Sequence, residues 1–160
     1  MKTFLSILFC FLFSATLFAE DGSRLWLRYA SPATLGFRFG QVAADESSPV
    51  IRIALKELDT AWKSFTGEAI THTSSRANAT LVIGTGKSKV VTSLLPPKSL
   101  EGLGRDGFLI KTVGSQLVIA SPSDKGVLYG VFHFLRLVAT EQWNGNEIRE
   151  TPAYERRILN

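Results

Sequence analysis

Three observations in the amino-acid sequence predict an α+β domain, a mixed β-sheet packed by two main helices. Apolar residues recur at helical spacing in two long stretches, Ile51 to Phe65 and Leu128 to Val138. The run Thr80 to Gly84 is apolar without alternation, as a strand buried on both faces should be. Two further apolar runs, 107–113 and 116–120, are separated only by Gly114 and Ser115, the length and composition of a tight hairpin.

The elements follow in order. Residues 24–29 alternate Leu25, Leu27 and Tyr29 against Arg24, Trp26 and Arg28, the period of a half-buried first strand. Ser, Pro, Gly and Ala dominate 30–48, with a short alternation Phe37-Arg-Phe39 that reads as a minor strand. Ser48 then serves as N-cap, with Pro49 in the first turn of a helix whose stripe is Ile51, Ala54, Leu55, Leu58, Trp62 and Phe65. Gly67 is placed to cap its C-terminus. After the buried strand, Val90 to Leu95 allows one helical turn before Pro96-Pro97 stops it. Asp124 is the expected cap of the second helix, with Leu128, Val131, Phe132, Leu135 and Val138 as its apolar stripe. A last short strand is expected around Ile148, and the tail 154–160 turns apolar again at Ile158-Leu159.

Bulk properties narrow the classes of function. The first nineteen of the 160 residues have the pattern of a signal peptide: Lys2, the apolar run Phe4 to Phe13, and Ala19 before the cut. Export to the periplasm or the medium is the expectation. Beyond residue 20 no segment is long and apolar enough to span a bilayer. The single cysteine, Cys10, lies inside the signal, so the mature chain is expected to rely on its core rather than on disulfides. Net charge is +4, yet Arg24, Arg28, Arg38, Arg52, Lys56 and Lys63 are scattered. A nucleic-acid binder would concentrate such residues on one face, so no nucleic-acid partner is expected.

The residues that carry chemistry are sparse. Leu81 to Ser88 reads LVIGTGKS, and Gly-Lys-Ser after a strand suggests a phosphate cradle around Lys87. That cradle needs a glycine five residues before Gly86, and Leu81 stands there, so the stretch reads as a strand and its exit turn. His72 and His133 are the two imidazoles, the first without metal-ligand spacing and the second at the edge of a helical stripe. No Cys or His cluster suits zinc, and no serine sits in a Gly-x-Ser-x-Gly elbow. Sugar hydrolysis needs two carboxylates facing each other, but Glu57, Asp59, Glu68, Asp106, Glu147, Glu150 and Glu155 each read as helix-surface, turn or edge-strand charges. Trp62 reads as core and Trp26 as covered or exposed, while Trp143, just past the second helix, is the better candidate for a sugar or partner interface. No catalytic, cofactor-binding or metal residue is assigned.

Several segments together resemble one family. Residues 20–29 (EDGSRLWLRY), 81–85 (LVIGT), 107–112 (GFLIKT) and above all 124–137 (DKGVLYGVFHFLRL) are similar to the N-terminal domain of glycoside hydrolase family 67 α-glucuronidases, across essentially all of 20–160. The resemblance implies an accessory α+β domain of the kind that precedes the (β/α)8 barrel in α-glucuronidases and hexosaminidases. It divides the chain into a signal peptide at 1–19, the accessory domain at 20–152, and the start of a barrel at 153–160. It further implies a secreted, xylan-degrading enzyme that removes 4-O-methyl-glucuronic acid from xylo-oligosaccharides by inversion, with its catalytic and uronate-binding residues in the barrel. The 160-residue chain is therefore expected to be truncated before the barrel and inactive alone, with the barrel as its partner and no cofactor. Its barrel-facing surface is expected to be exposed and prone to aggregation. The alternative is a free-standing exported module that binds carbohydrate or protein.

Overall fold

The computed structural model describes Leu35 and residues 37–152. The expected signal peptide, the strand at 24–29 with Trp26, and the tail at 153–160 with Glu155 lie outside those residues. Within them the order is β1 (Gln41–Ala43), α1 (Pro49–Thr66), β2 (Thr71–Thr73), β3 (Leu81–Thr85), α2 (Lys89–Thr92), a 3-10 turn (Pro97–Leu100), β4 (Phe108–Val113), β5 (Gln116–Ser121), α3 (Asp124–Ala139) and β6 (Ile148–Glu150). The six strands form one sheet in the order β2-β1-β3-β5-β4-β6. β2, β1, β3 and β5 are parallel, while β4 is antiparallel to both β5 and β6. This is the mixed sheet with two main helices that the sequence predicts.

The pleat sends alternate side chains into two cores. Val42, Leu81, Ile83, Leu117, Ile119, Phe108 and Ile110 face α1 and α3, and pack with Ile51, Leu58, Trp62, Val131 and Phe134. Val82, Val118, Ala120 and Leu109 face the other way, under Val90, Val91, Leu95, Leu100 and Leu103. All five residues of β3 are buried, as a central strand covered on both faces requires. α2 and the 3-10 turn, with Leu95 and Leu103, cover this second face.

α1 forms as its residues dictate. The Ser48 side chain accepts the Ile51 N–H at 3.1 Å, and Pro49 opens the first turn. Gly67 closes the helix at φ +76°, its N–H donating to the Lys63 carbonyl. Trp62 is buried and stacks on Phe39 with ring centroids 3.8 Å apart. The hairpin turn contains Gly114 at φ +60°, where a Cβ would strain the backbone.

Three expectations are corrected. Phe37 and Phe39 are not a strand; both rings pack into the helix-side core, and the ladder begins two residues later at Gln41. The cap of α3 is Ser123, whose hydroxyl accepts the Gly126 N–H at 3.2 Å, and Asp124 sits in the first turn. The inner stripe of α3 is Val127, Val131, Phe134, Leu135 and Val138, so Leu128 and Phe132 are only half-buried. Among the described residues the large exposed apolar side chains are Ile53 and Tyr129.

Candidate functional site

β1, β3 and β5 end on the same side of the sheet, and the loops that follow them converge there. In an open parallel sheet this carboxyl end is the usual place for a ligand crevice. It also contains the Gly-Thr-Gly-Lys-Ser stretch. An anion is indeed held there, and it belongs to the chain itself. Glu46, just past β1, accepts the Thr85 N–H at 2.5 Å and the Thr85 hydroxyl at 2.6 Å. Asp45 accepts the Ser88 hydroxyl at 2.5 Å and the Lys89 N–H at 2.8 Å. The remaining amides of the loop are also taken: Gly86 N–H by the Ser121 carbonyl, Lys87 N–H by the Thr85 hydroxyl, and Ser88 N–H by the Thr85 carbonyl. Every backbone donor from Thr85 to Lys89 therefore has an internal acceptor, and none is directed at a phosphate. Gly84 allows the close approach, because a Cβ there would lie 2.7 Å from the Ser88 Cβ and 3.0 Å from Glu46 Oε2.

Beside this loop an apolar groove of about 230 Å³ is lined by Val91, Leu95, Pro96, Pro97, Leu100 and Pro122. The polar side chains in its lining are Thr92 and Glu101. Pockets that turn over a polar substrate bring several oriented polar groups together, and this one does not.

The ionisable residues singled out in the sequence are dispersed. Asp59 pairs with His72 at 2.7 Å across the outer edge of β2, Glu68 with Arg38 at 3.7 Å, Asp106 with Lys125 at 3.2 Å, and Glu147 with Lys111 at 2.8 Å. Asp106 holds the Lys125 ammonium above its usual range, mainly through their hydrogen bond. Burial, and then the Arg136 guanidinium, push the His133 imidazole below its ordinary value, with Glu150 opposing them. His133 lies 5.2 Å, centroid to centroid, from the Phe108 ring. Glu150 is on β6 and Glu57 on α1. Among the described residues no three of His, Cys, Asp and Glu stand close enough to hold a metal ion, and no helix is long and apolar enough to cross a membrane.

Trp143, expected at an interface, is half-buried and meets the Phe134 ring edge-on at 5.3 Å, so it closes the core below α3 instead of presenting a flat platform. Sequence reading missed Asp45 and Glu46, the carboxylates that organise the carboxyl end. Their partners lie 39 to 44 positions away, and nothing local in the sequence marks them.

A mixed sheet with α1 and α3 on one face, α2 and the 3-10 turn on the other, and the loops of its carboxyl end hydrogen-bonded to the chain's own Asp45 and Glu46 has the architecture of an α+β domain. The chain belongs to the family described as Glycosyl hydrolase family 67 N-terminus, whose model matches residues 25–134. It is 27% identical over 152 residues to a probable alpha-glucuronidase A of Aspergillus terreus, covering 89% of this chain. It is 30% identical over 152 residues to an alpha-glucuronidase of Hypocrea jecorina, covering 85%. The chain spans 18% of the length of each of these relatives. Its fold is shared with part of a family GH115 4-O-methyl-alpha-glucuronidase with specificity for decorated arabinogalactans (TM-score 0.55, 22% identity, 61% of this chain and 13% of that one). It is also shared with part of the Streptomyces plicatus N-acetyl-beta-hexosaminidase (TM-score 0.51, 19% identity, 79% and 24%).

Proposed function

We propose that the chain is the non-catalytic N-terminal domain of an exported α-glucuronidase, and that it acts by supporting a catalytic barrel instead of by touching substrate. The family match over most of the chain supports the assignment to α-glucuronidases. The observation that carries the non-catalytic role is the carboxyl end of the sheet, where Asp45 and Glu46 occupy the donors that a ligand would need. The substrate assigned to the whole enzyme is a xylo-oligosaccharide bearing 4-O-methyl-glucuronic acid, and the N-terminal nineteen residues direct it out of the cytoplasm.

The test is a transplant. Residues 20–152 are substituted for the corresponding segment of the Hypocrea jecorina enzyme, and glucuronic acid release is compared with that of a variant lacking the segment. The chimera is expected to retain activity that the deletion loses. An inactive chimera, or a deletion as active as the parent, contradicts the reading.

A further inference from the structure

Residues 78–80 read Asn-Ala-Thr, the Asn-x-Ser/Thr pattern without a central proline that accepts N-linked oligosaccharide in exported proteins. Three residues are a short motif, and the fold supplies the setting that it needs. Residues 76–79 form a turn closed by the Ala79 N–H on the Arg76 carbonyl at 3.2 Å. The Gln116 carboxamide pins both ends of that turn, donating to the Arg76 carbonyl at 2.8 Å and to the Ala79 carbonyl at 2.7 Å. Ala77 and Asn78 are exposed between them. A branched, heavily hydrated oligosaccharide can be carried only where its asparagine stands clear of the surface, as Asn78 does.

Thr80 provides an independent observation. Its backbone is paired on both sides, the N–H donating to the Gln41 carbonyl at 3.2 Å and the carbonyl accepting the Leu117 N–H at 2.8 Å. Its hydroxyl is shut away from solvent and has no hydrogen-bond partner among the described residues. A buried hydroxyl without a partner works against folding, and valine has the same branched shape without that cost. The folded domain thus gives the Thr80 hydroxyl no use, whereas a glycosyl transferase reads it on the extended chain before folding. Position is favourable as well. β6 runs with β5, because each is antiparallel to β4, so the described chain leaves at the carboxyl end of the sheet. Asn78 precedes β3 and lies at the opposite end, about 16 Å away along that five-residue strand. A glycan there stands away from polypeptide that follows residue 152.

We propose that Asn78 is an N-glycosylation site, with Thr80 as the hydroxyl that the transferase requires. This rests on the export proposed above. The Asn78 amide nitrogen attacks the anomeric carbon of a lipid-linked oligosaccharide. A carbon–nitrogen bond forms, the carbon–oxygen bond to the polyprenyl diphosphate breaks, and one amide proton is lost to solvent as the diphosphate departs.

The full 160-residue chain, with its own N-terminal segment, is expressed in Hypocrea jecorina, and the protein in the medium is weighed intact before and after treatment with peptide-N-glycosidase. The secreted chain is expected to exceed its sequence mass by one oligosaccharide, which the glycosidase removes and peptide mapping places on Asn78. Asn78→Gln and Thr80→Val are each expected to lose the sugar completely and Thr80→Ser to keep it, with all three still secreted. A secreted parent at its bare sequence mass overturns the inference and leaves export standing, whereas a chain retained in the cell counts against export and takes the inference with it. Sugar that persists on Asn78→Gln lies elsewhere and also overturns it. Thermal melts separate the motif from the fold: Thr80→Val is expected to melt no earlier than the deglycosylated parent. A markedly earlier melt would show that the hydroxyl serves the folded domain and would refute the role given to it.

Discussion

At the carboxyl end of the sheet, one side chain settles the loop between β3 and α2. Glu46 supplies acceptors to both the N–H and the hydroxyl of Thr85, which is itself buried. Removing a charged acceptor strands two donors away from water, and each stranded donor costs about 1–3 kcal/mol. Glu46→Ala is therefore expected to destabilise the domain by about 2 kcal/mol in urea titrations, and Glu46→Gln by less, since one acceptor oxygen survives. An unchanged midpoint for Glu46→Ala would show that water substitutes freely for the carboxylate. Residue-scale reading of the sequence succeeded where the reason was local: Ser48, Pro49, Gly67 and Gly114 all act within a few positions of themselves. It failed at Asp45 and Glu46 because their meaning is set by a strand some forty residues on.

His133 extends the residue-scale account to pH. Its imidazole is held below the ordinary value near 6.5, so the unfolded chain binds the proton more tightly than the folded one. The sign follows: the stability associated with neutral His133 is complete above about pH 6.5 and declines as pH falls toward the lowered folded value. A pH series of thermal melts should therefore show the parent losing stability below that point more steeply than His133→Gln. Parallel curves for the two proteins would contradict the role given to burial against Phe108.

Among the elements, α3 is where sequence and structure differ most usefully. Its cap is predicted one residue late, because Ser123 and Asp124 are both good capping residues and periodicity does not choose between them. Ser123 receives the Gly126 N–H and also donates to the Arg105 carbonyl, whereas Asp124 contributes only a first-turn charge. Ser123→Ala should cost about 1–2 kcal/mol and Asp124→Ala only about 0.5 kcal/mol, and the reverse ranking would restore Asp124 as the cap. Gly126 provides a sharper test. In an open helix Gly→Ala gains about 1 kcal/mol, but a Cβ here would lie 2.0 Å from Ser121 Oγ and 2.5 Å from the Gly107 carbonyl oxygen. Overpacking against backbone outweighs propensity, so Gly126→Ala should lose about 2–3 kcal/mol. β1 and β2 escaped the sequence reading for a different reason: Gln41-Val-Ala43 and Thr71-His-Thr73 are three-residue strands held by parallel neighbours, too short to carry a period.

For the whole molecule, one fact bears on function: the carboxyl end of the sheet is satisfied by the chain's own Asp45 and Glu46. Burial of β3 on both faces was legible from its unbroken apolar run, and the Gly114-Ser115 turn made the pairing of β4 with β5 legible. The functional reading came less from chemistry present than from a family resemblance, carried above all by residues 124–137. That segment includes Val127, Val131 and Phe134 of the core, Leu128 packed against it, the close-packed Gly126 and Gly130, and the more exposed Tyr129.

The central claim is that this chain supports hydrolysis without performing it. The direct measurement is incubation of the purified 160-residue chain with aldouronic oligosaccharides, with released glucuronic acid quantified over time. The account predicts no release above the substrate blank. Release that scales with protein concentration and disappears on substituting a carboxylate within residues 37–152 would contradict it.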